Sequence, residues 1–238
     1  MKRIVSLFIA AFIIAGLSCS GAMAKPEATE FRAGDFSPSA LKSVLVLPLI
    51  YETTLPDSEP FLKESAEQKW TSLTTGNKTR WPFLVKTPQE VVKAAAFVKG
   101  VEPEPMNAQQ NAEKALTLAA DYTDGVLSCT VTTIGTGVIQ HPGEYITKWR
   151  YEDRPVWRNN RWEKERVSIP YQEYKEPWNE GYTKGAVKLE LRSSKDNSLL
   201  YGVNVSANTG EGLFSDAPSL SKHLQNVIEN AAKRIPVK

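Results

Sequence analysis

From residue 40 onward the chain is written in two hydrophobic periods. Val44-Leu45-Val46-Leu47-Pro48-Leu49 is a continuous apolar run closed by proline, which predicts a short strand buried on both faces. Leu62, Ala66, Trp70 and Leu73 recur at helical spacing, and Trp81, Phe83 and Val85 alternate as in a second strand. Thr87-Pro88-Gln89-Glu90 is a capping box with proline at the first helical position; the helix it starts buries Val91, Val92, Ala95 and Val98. After the loop GVEPEP, Asn107 caps a third helix with the stripe Ala108, Ala112, Ala115, Leu116 and Ala119.

The period then changes from 3.6 to 2. Leu127, Cys129 and Val131 alternate with Ser128, Thr130 and Thr132. Gly135 to Gly143 is expected as a loop, followed by a strand with Tyr145, Thr147, Trp149 and Tyr151 on one face. Val187, Leu189 and Leu191 alternate with Lys188, Glu190 and Arg192; the turn SKDN leads into Leu199, Tyr201, Val203 and Val205. A loop NTGEG precedes a last helix with the stripe Leu220, Leu224, Val227, Ile228 and Ala231, and Pro236 lies just past its end. The order predicts an α/β (α+β) domain over residues 40–238, with helices on a mixed sheet, an antiparallel β-hairpin insert at about 136–182 and a C-terminal helix.

The first 39 residues read differently. Lys2 and Arg3 precede an apolar stretch from Ile4 to Leu17, and Ala22-Met23-Ala24 has the small-x-small form of a cleavage site, so residues 1–24 are expected as a secretory signal peptide. A rival is acylation of Cys19, although Gly16-Leu17-Ser18 puts the leucine one place from the usual lipobox position. Residues 25–39 are polar and without period and are expected as a flexible lead-in. Removing the leader takes Lys2 and Arg3 from 29 basic residues and leaves 27 against 27 acids. That balance argues against nucleic acid or anionic lipid as a bulk partner. The expected location is the periplasm or the exterior, or the outer membrane if Cys19 carries lipid; only then is membrane contact expected.

Three stretches, taken in order, resemble one bacterial envelope group. LKSVLVLPLIYETT is similar to its V-x-V-L-P opening strand, NAEKALTLAADYTDGVLSCTVTTIG to its helix and following strand, and VKLELRSSKDNSLLYGVNVSA to its hairpin. The group includes the curli-secretion lipoprotein family and proteins like the N-terminal domain of TolB. The resemblance covers roughly residues 40–235. It implies a compact α/β fold, an envelope location and a non-catalytic assembly or scaffolding role. The insert at 136–182 departs from the smaller members. In pore-forming relatives such inserts become membrane hairpins, but this one is charged on both faces.

Little of the remaining chemistry points to catalysis. His141 and His223 are the two histidines, far apart and without a metal-ligand motif, so no metal and no cofactor is expected. His141 reads as a solvated loop residue, and His223 as the flank of a helical stripe. Cys129 has the spacing of a core thiol. Two S-x-x-K matches (Ser39 to Lys42, Ser219 to Lys222) lack the companion motifs of penicillin-recognising enzymes. Gly135-Thr-Gly137 and Gly210-Glu-Gly212 are bare G-x-G turns. A hydrolase using Glu173 and Glu176 is the third-ranked reading.

Residues 151–182 hold three tryptophans and four tyrosines, in a chain that is 9% aromatic overall. They also hold six basic and seven acidic residues, a balance unlike a nucleic-acid groove. Asn159-Asn160 suits a two-residue hairpin turn, which pairs Arg158 with Arg161 and places Trp157 opposite Trp162. The arginines need Glu163 or an outside anion beside them. The candidate binding residues are Trp157, Arg158, Arg161, Trp162, Tyr171 and Trp178. The expected function is non-enzymatic: a scaffolding or assembly component that binds an envelope protein through this insert, with oligomerisation open. The alternative is a carbohydrate- or peptidoglycan-binding module.

Mass spectrometry of the mature N-terminus tests the leader. A chain starting at Lys25 is the expected product, and a diacylglyceryl group on Cys19 would replace it with a membrane-tethered form.

Overall fold

The computed structural model describes residues 26–34, 36–57, 59–75, 81–211 and 216–236. The expected leader and Cys19 lie outside them. The described chain divides into two compact units, Val138–Gly181 and the residues on either side of it.

The larger unit is built on a seven-stranded mixed sheet. Its strands are β1 (Glu27–Arg32), β2 (Ser43–Val46), β3 (Ile50–Tyr51), β4 (Leu84–Lys86), β5 (Gly125–His141), β8 (Trp178–Ser193) and β9 (Leu199–Gly210); β5 and β8 continue into the smaller unit. The spatial order is β1-β9-β8-β5-β2-β4, with β3 also paired to β5. Strands β4, β2 and β5 are parallel, while β1 and β8 run antiparallel to β9. The helices are α1 (Leu62–Thr75), α2 (Pro88–Val98), α3 (Ala108–Tyr122) and α4 (Leu220–Lys233).

Helices cover β2 on both faces. Val44 and Val46 enter a large apolar cluster with Leu62, Trp70, Leu127, Leu189, Val203 and Ile228, which joins α1 and α4 to the sheet. Leu45 points the other way, into a second cluster with Val91 and Val92 of α2 and Ala115 and Ala119 of α3. Farther along the sheet, Val187, Leu189 and Leu191 are buried while Lys188, Glu190 and Arg192 are half-buried on the reverse face, the alternation expected of a strand with one core face.

Helix ends follow the sequence signals closely. Thr87 accepts from the Glu90 amide at 3.3 Å while Glu90 accepts from the Thr87 amide at 2.7 Å, so the capping box is closed in both directions. Asn107 and Gln110 form a second such box at 2.9 and 3.0 Å. Helix α4 is fastened at both ends by residues flanking α1. The Glu59 carboxylate accepts from the Leu220 and Ser221 amides at 2.7 and 2.9 Å, and the Trp81 indole donates to the Ala232 carbonyl at 3.1 Å. Between them Lys69 of α1 meets Glu229 of α4, which also holds Lys233 at 2.6 Å.

Several expectations need correction. Residues 25–39 are not a uniformly flexible lead-in: Glu27–Arg32 is an edge strand whose ladder with β9 comes from the backbone, so it needs no hydrophobic period. Phe36 and Pro38 are buried just beyond it. The expected loop at 135–143 shrinks to Pro142-Gly143, because β5 runs on to His141. Its glycine at 137 lies under the Tyr182 ring, where a Cβ would come within 2.4 Å. Strand β9 likewise continues to Gly210. On α3 the packed face is Ala115 and Ala119 with Leu118 and Tyr122, while Ala108 and Leu116 are exposed. Val98 is exposed at the end of α2. His223 is not a flank residue. It is buried, with its ring nitrogens near the Ala207 carbonyl at 3.0 Å and the Thr209 hydroxyl at 3.3 Å.

These contacts set an acid limit on stability. Hydrogen bonds from the Ser221 side chain and the Ser221 and Leu220 amides lower the Glu59 pKa against the opposing effect of burial. The Ser43 and Lys42 amides lower that of Asp124, and Lys233 and Lys69 bring Glu229 down to about 2. Burial lowers the His223 pKa. Each group binds protons more readily unfolded than folded, so stability rises with pH across each window. Denaturant unfolding at a series of pH values is expected to show stability falling first below about pH 6.5, as the unfolded histidine charges. It then falls again from about pH 4 towards pH 2, as the unfolded carboxylates protonate ahead of the folded ones. A flat profile across both windows would contradict this assignment.

Candidate functional site

The smaller unit is dominated by one hairpin, β6 (Glu144–Arg158) and β7 (Arg161–Lys175). Asn159 and Asn160 both take positive φ, 52° and 58°, the left-handed conformation that a two-residue turn of this hand requires and that asparagine tolerates. The turn sets Arg158 against Arg161 and Trp157 against Trp162, and the register continues without a shift to Glu144 against Lys175. At the far end, the Gly143 backbone lies under the Tyr174 ring, where a Cβ would come within 2.1 Å. Fifteen residue pairs make a ribbon about 50 Å long and two strands wide.

Register sorts the side chains into two unlike faces. One carries Tyr145, Thr147, Trp149, Tyr151, Asp153, Pro155 and Trp157 from β6, opposite Tyr174, Gln172, Pro170, Ser168, Arg166, Lys164 and Trp162 from β7. The six Trp and Tyr rings of this face are between 50% (Tyr174) and 71% (Tyr151) exposed. The tip tryptophans meet edge to face, centroids 5.3 Å apart at 67°, and Tyr145 and Tyr174 lie 5.0 Å apart near the base. The Arg166 guanidinium sits 6.0 Å from the Tyr151 ring and bonds Asp153 at 3.4 Å.

The other face is ionic over a thin apolar layer. Lys148 pairs with Glu173 at 2.6 Å, Arg150 with Glu152 at 2.7 Å, Arg158 with Glu165 at 3.1 Å and Arg161 with Glu163 at 2.7 Å. Ile146, Val156, Val167 and Ile169 are half-buried between these pairs. Being exposed, these pairs are screened by solvent and add little to stability. Their effect is to neutralise this face, including the Arg158–Arg161 pair that the turn forces together.

The edges follow from the same register. Arg158 and Arg161 close the two-residue turn as a hydrogen-bonded pair, so every row on the aromatic face is a non-hydrogen-bonded pair. At those positions the backbone N–H points outward, and each edge holds a proline there: Pro155 on β6 and Pro170 on β7. Each removes one donor from an open edge without touching the internal ladder. Strand addition along either edge is interrupted.

The six candidate residues therefore do not form one site. Trp157 and Trp162 share the aromatic face. Arg158 and Arg161 are on the reverse face with their glutamates, and so is Tyr171, whose ring lies 5.9 Å from the Arg150 guanidinium. Trp178 lies on β8, stacked on His141 at 4.0 Å and 7°, with the Lys175 ammonium 4.8 Å from its ring centroid. His141 is not a solvated loop residue: it ends β5 and pairs with the buried Glu180 at 2.9 Å. The residues that complete the aromatic face are Tyr145, Trp149, Tyr151, Tyr174, Pro155 and Pro170. Extending the Asn-Asn register down both strands would have found them.

Among the described residues no other cluster supplies a nucleophile or metal centre. Burial pushes the Cys129 thiol up to about 12, the opposite of an activated cysteine. The Ser219 hydroxyl caps α4, and Glu173 is held by Lys148 in an exposed pair. Among the described residues no three His, Cys, Asp or Glu side chains gather as metal ligands, and no helix is long and apolar enough to cross a membrane.

No protein-family model matches the sequence, and no curated protein matches it. Solved structures with some likeness include the PelC dodecamer from Paraburkholderia phytofirmans, at 13% identity and TM-score 0.41 over 88% of this chain and 96% of that one. The lipoprotein GNA1162 from Neisseria meningitidis matches at 18% identity and TM-score 0.36, over 82% and 97%. The LpoB C-terminal domain from Escherichia coli matches at 10% identity and TM-score 0.32, over 69% and 81%. All three TM-scores are below 0.5, so the functional reading rests on this chain's own residues.

Replacing Trp157 by alanine is expected to abolish the far-UV exciton signal of the tryptophan pair. It should loosen the ribbon by about 0.5–1.5 kcal/mol, the value of one aromatic pair. Thermal unfolding of the larger unit, followed through the buried Trp70 and Trp81, should stay unchanged; a large shift there would show the ribbon to be part of the main core.

Proposed function

We propose that this chain is a non-enzymatic, exported envelope protein that uses its α/β unit as a scaffold and its ribbon to hold another envelope component. The single observation behind this reading is the exposed aromatic face. Six Trp and Tyr rings line one side of a two-stranded ribbon at half exposure or more, and no helix or strand of the smaller unit covers them. An isolated hairpin is marginal in water, and exposed apolar surface of this extent marks an interaction site. The export reading is supported by the basic, apolar and small-x-small succession in residues 1–24.

Binding goes through the face. The prolines interrupt strand addition at the edges, and the ion pairs leave the reverse face neutralised. The sequence ranks an envelope protein first as partner and a glycan second.

A capture experiment from envelope extract, with bound material analysed for both protein and sugar, compares the wild type with Trp157→Ala/Trp162→Ala. The variant is expected to lose the captured component while its larger unit unfolds normally. Identical captured material from both proteins would retire the ribbon as the docking site.

A further inference from the structure

The aromatic face has a composition that narrows its ligand. None of its fourteen side chains is Leu, Ile, Val, Met or Phe; the four aliphatic residues of the hairpin all lie on the reverse face. What it offers is Trp and Tyr, whose rings carry a polar tip, interleaved with the hydroxyl and amide groups of Thr147, Gln172 and Ser168. Polar side chains stand among the rings in the half of the ribbon nearer its base. Between Tyr145/Tyr174 and Trp149/Pro170 stands Thr147/Gln172, and Ser168 stands beside Tyr151.

Shape points the same way. Two strands present a strip about 50 Å long and about 10 Å wide, from the usual rise and strand spacing. A linear chain laid along the ribbon needs only its length. Pyranose rings have apolar C–H faces with slight positive charge, which stack on the negative faces of aromatic rings. Their hydroxyl edges need donors and acceptors, which Thr147, Gln172 and Ser168 supply beside Trp149 and Tyr151.

Resting on the ribbon as the docking site, we propose that its occupant is a linear β-1,4-linked polysaccharide, bound along the strands with sugar faces on Trp149, Tyr151 and the Trp157/Trp162 pair. β-1,4-linked chains are extended and keep their C–H faces flat, whereas α-1,4-linked chains curl away from a straight ribbon.

The test uses two probes, murein sacculi in a sedimentation assay and chitohexaose in a titration of the tryptophan indole N–H signals, with maltohexaose as the curled control. The full secreted chain is expected to sediment with sacculi and to respond to chitohexaose but not to maltohexaose. Trp149→Ala should weaken both interactions about tenfold, the loss of one stacking contact, and Trp149→Phe should restore most of it. The exciton signal of the tip tryptophans reports that the variant ribbon is still formed. Absence of wild-type binding to both β-linked probes at low salt would overturn the polysaccharide. If the capture experiment still yields a protein that Trp157→Ala/Trp162→Ala loses, the ribbon reading stands and only its occupant is wrong. Equal binding by wild type and Trp149→Ala would remove the face itself.

Discussion

Val44, Leu45 and Val46 are each 6% exposed or less, and successive strand residues point to opposite faces, so β2 has to be covered twice. That requirement organises the larger unit. Val44 and Val46 bring α1 and α4 onto one side, and Leu45 brings α2 and α3 onto the other. Because β2 is parallel to both its neighbours, the chain must cross back over the sheet, through α1 on the way to β4 and through α2 and α3 on the way from β4 to β5. Helix α4, the last to be made, is secured at its N-terminus by Glu59, at its middle by Lys69 and at its C-terminus by Trp81, all from the segment that follows β2. The double burial of three residues thus reaches through α1 to the other end of the chain.

The ribbon solves a different problem. It has no apolar layer thick enough to anchor a core, and its order comes from local chemistry: two left-handed asparagines, a shiftless register and close cross-strand pairs. Non-hydrogen-bonded rows bring opposed side chains nearest to one another, and all the rows on the aromatic face are of this kind. The tip tryptophans and the basal tyrosines therefore steady the two ends while leaving ring surface open. Stability and exposure come from the same pairs.

Much of this was legible in the sequence. The apolar run at 44–49, the Thr87 capping box and the α4 stripe each act through one local rule, and the structure follows them. Asn159-Asn160 gave the tryptophan pairing because a two-residue turn admits one register. What stayed hidden depends on distant partners. Strand β1 takes its order from the β9 backbone, which its own side chains do not announce. Gly135 and Gly137 read as turn residues, yet both lie within β5, the second with the Tyr182 ring against its backbone. His223 looked like a helix flank because its partners, Ala207 and Thr209, sit on β9. Within the candidate site, neighbours in sequence lie on opposite faces: Arg158 is adjacent to Trp157 and points the opposite way.

A ribbon of this length with open edges and exposed rings carries three hazards: pairing with another strand, charge imbalance and collapse onto apolar surface. Pro155 and Pro170 sit at outward-facing positions, so each edge lacks a donor where a new strand would need one. The reverse face answers each of its crowded arginines with a glutamate at 2.7 or 3.1 Å. On the aromatic face, Asp153, Lys164 and Arg166 interrupt the rings near the middle, which denies a lipid-facing surface and limits self-stacking. A hairpin bound for a barrel would need unbroken edges and one face free of charge along its length, and this one has neither. Each feature closes one mode of association, and together they leave the ring surfaces of the aromatic face as the exposed, unpaired part of the ribbon.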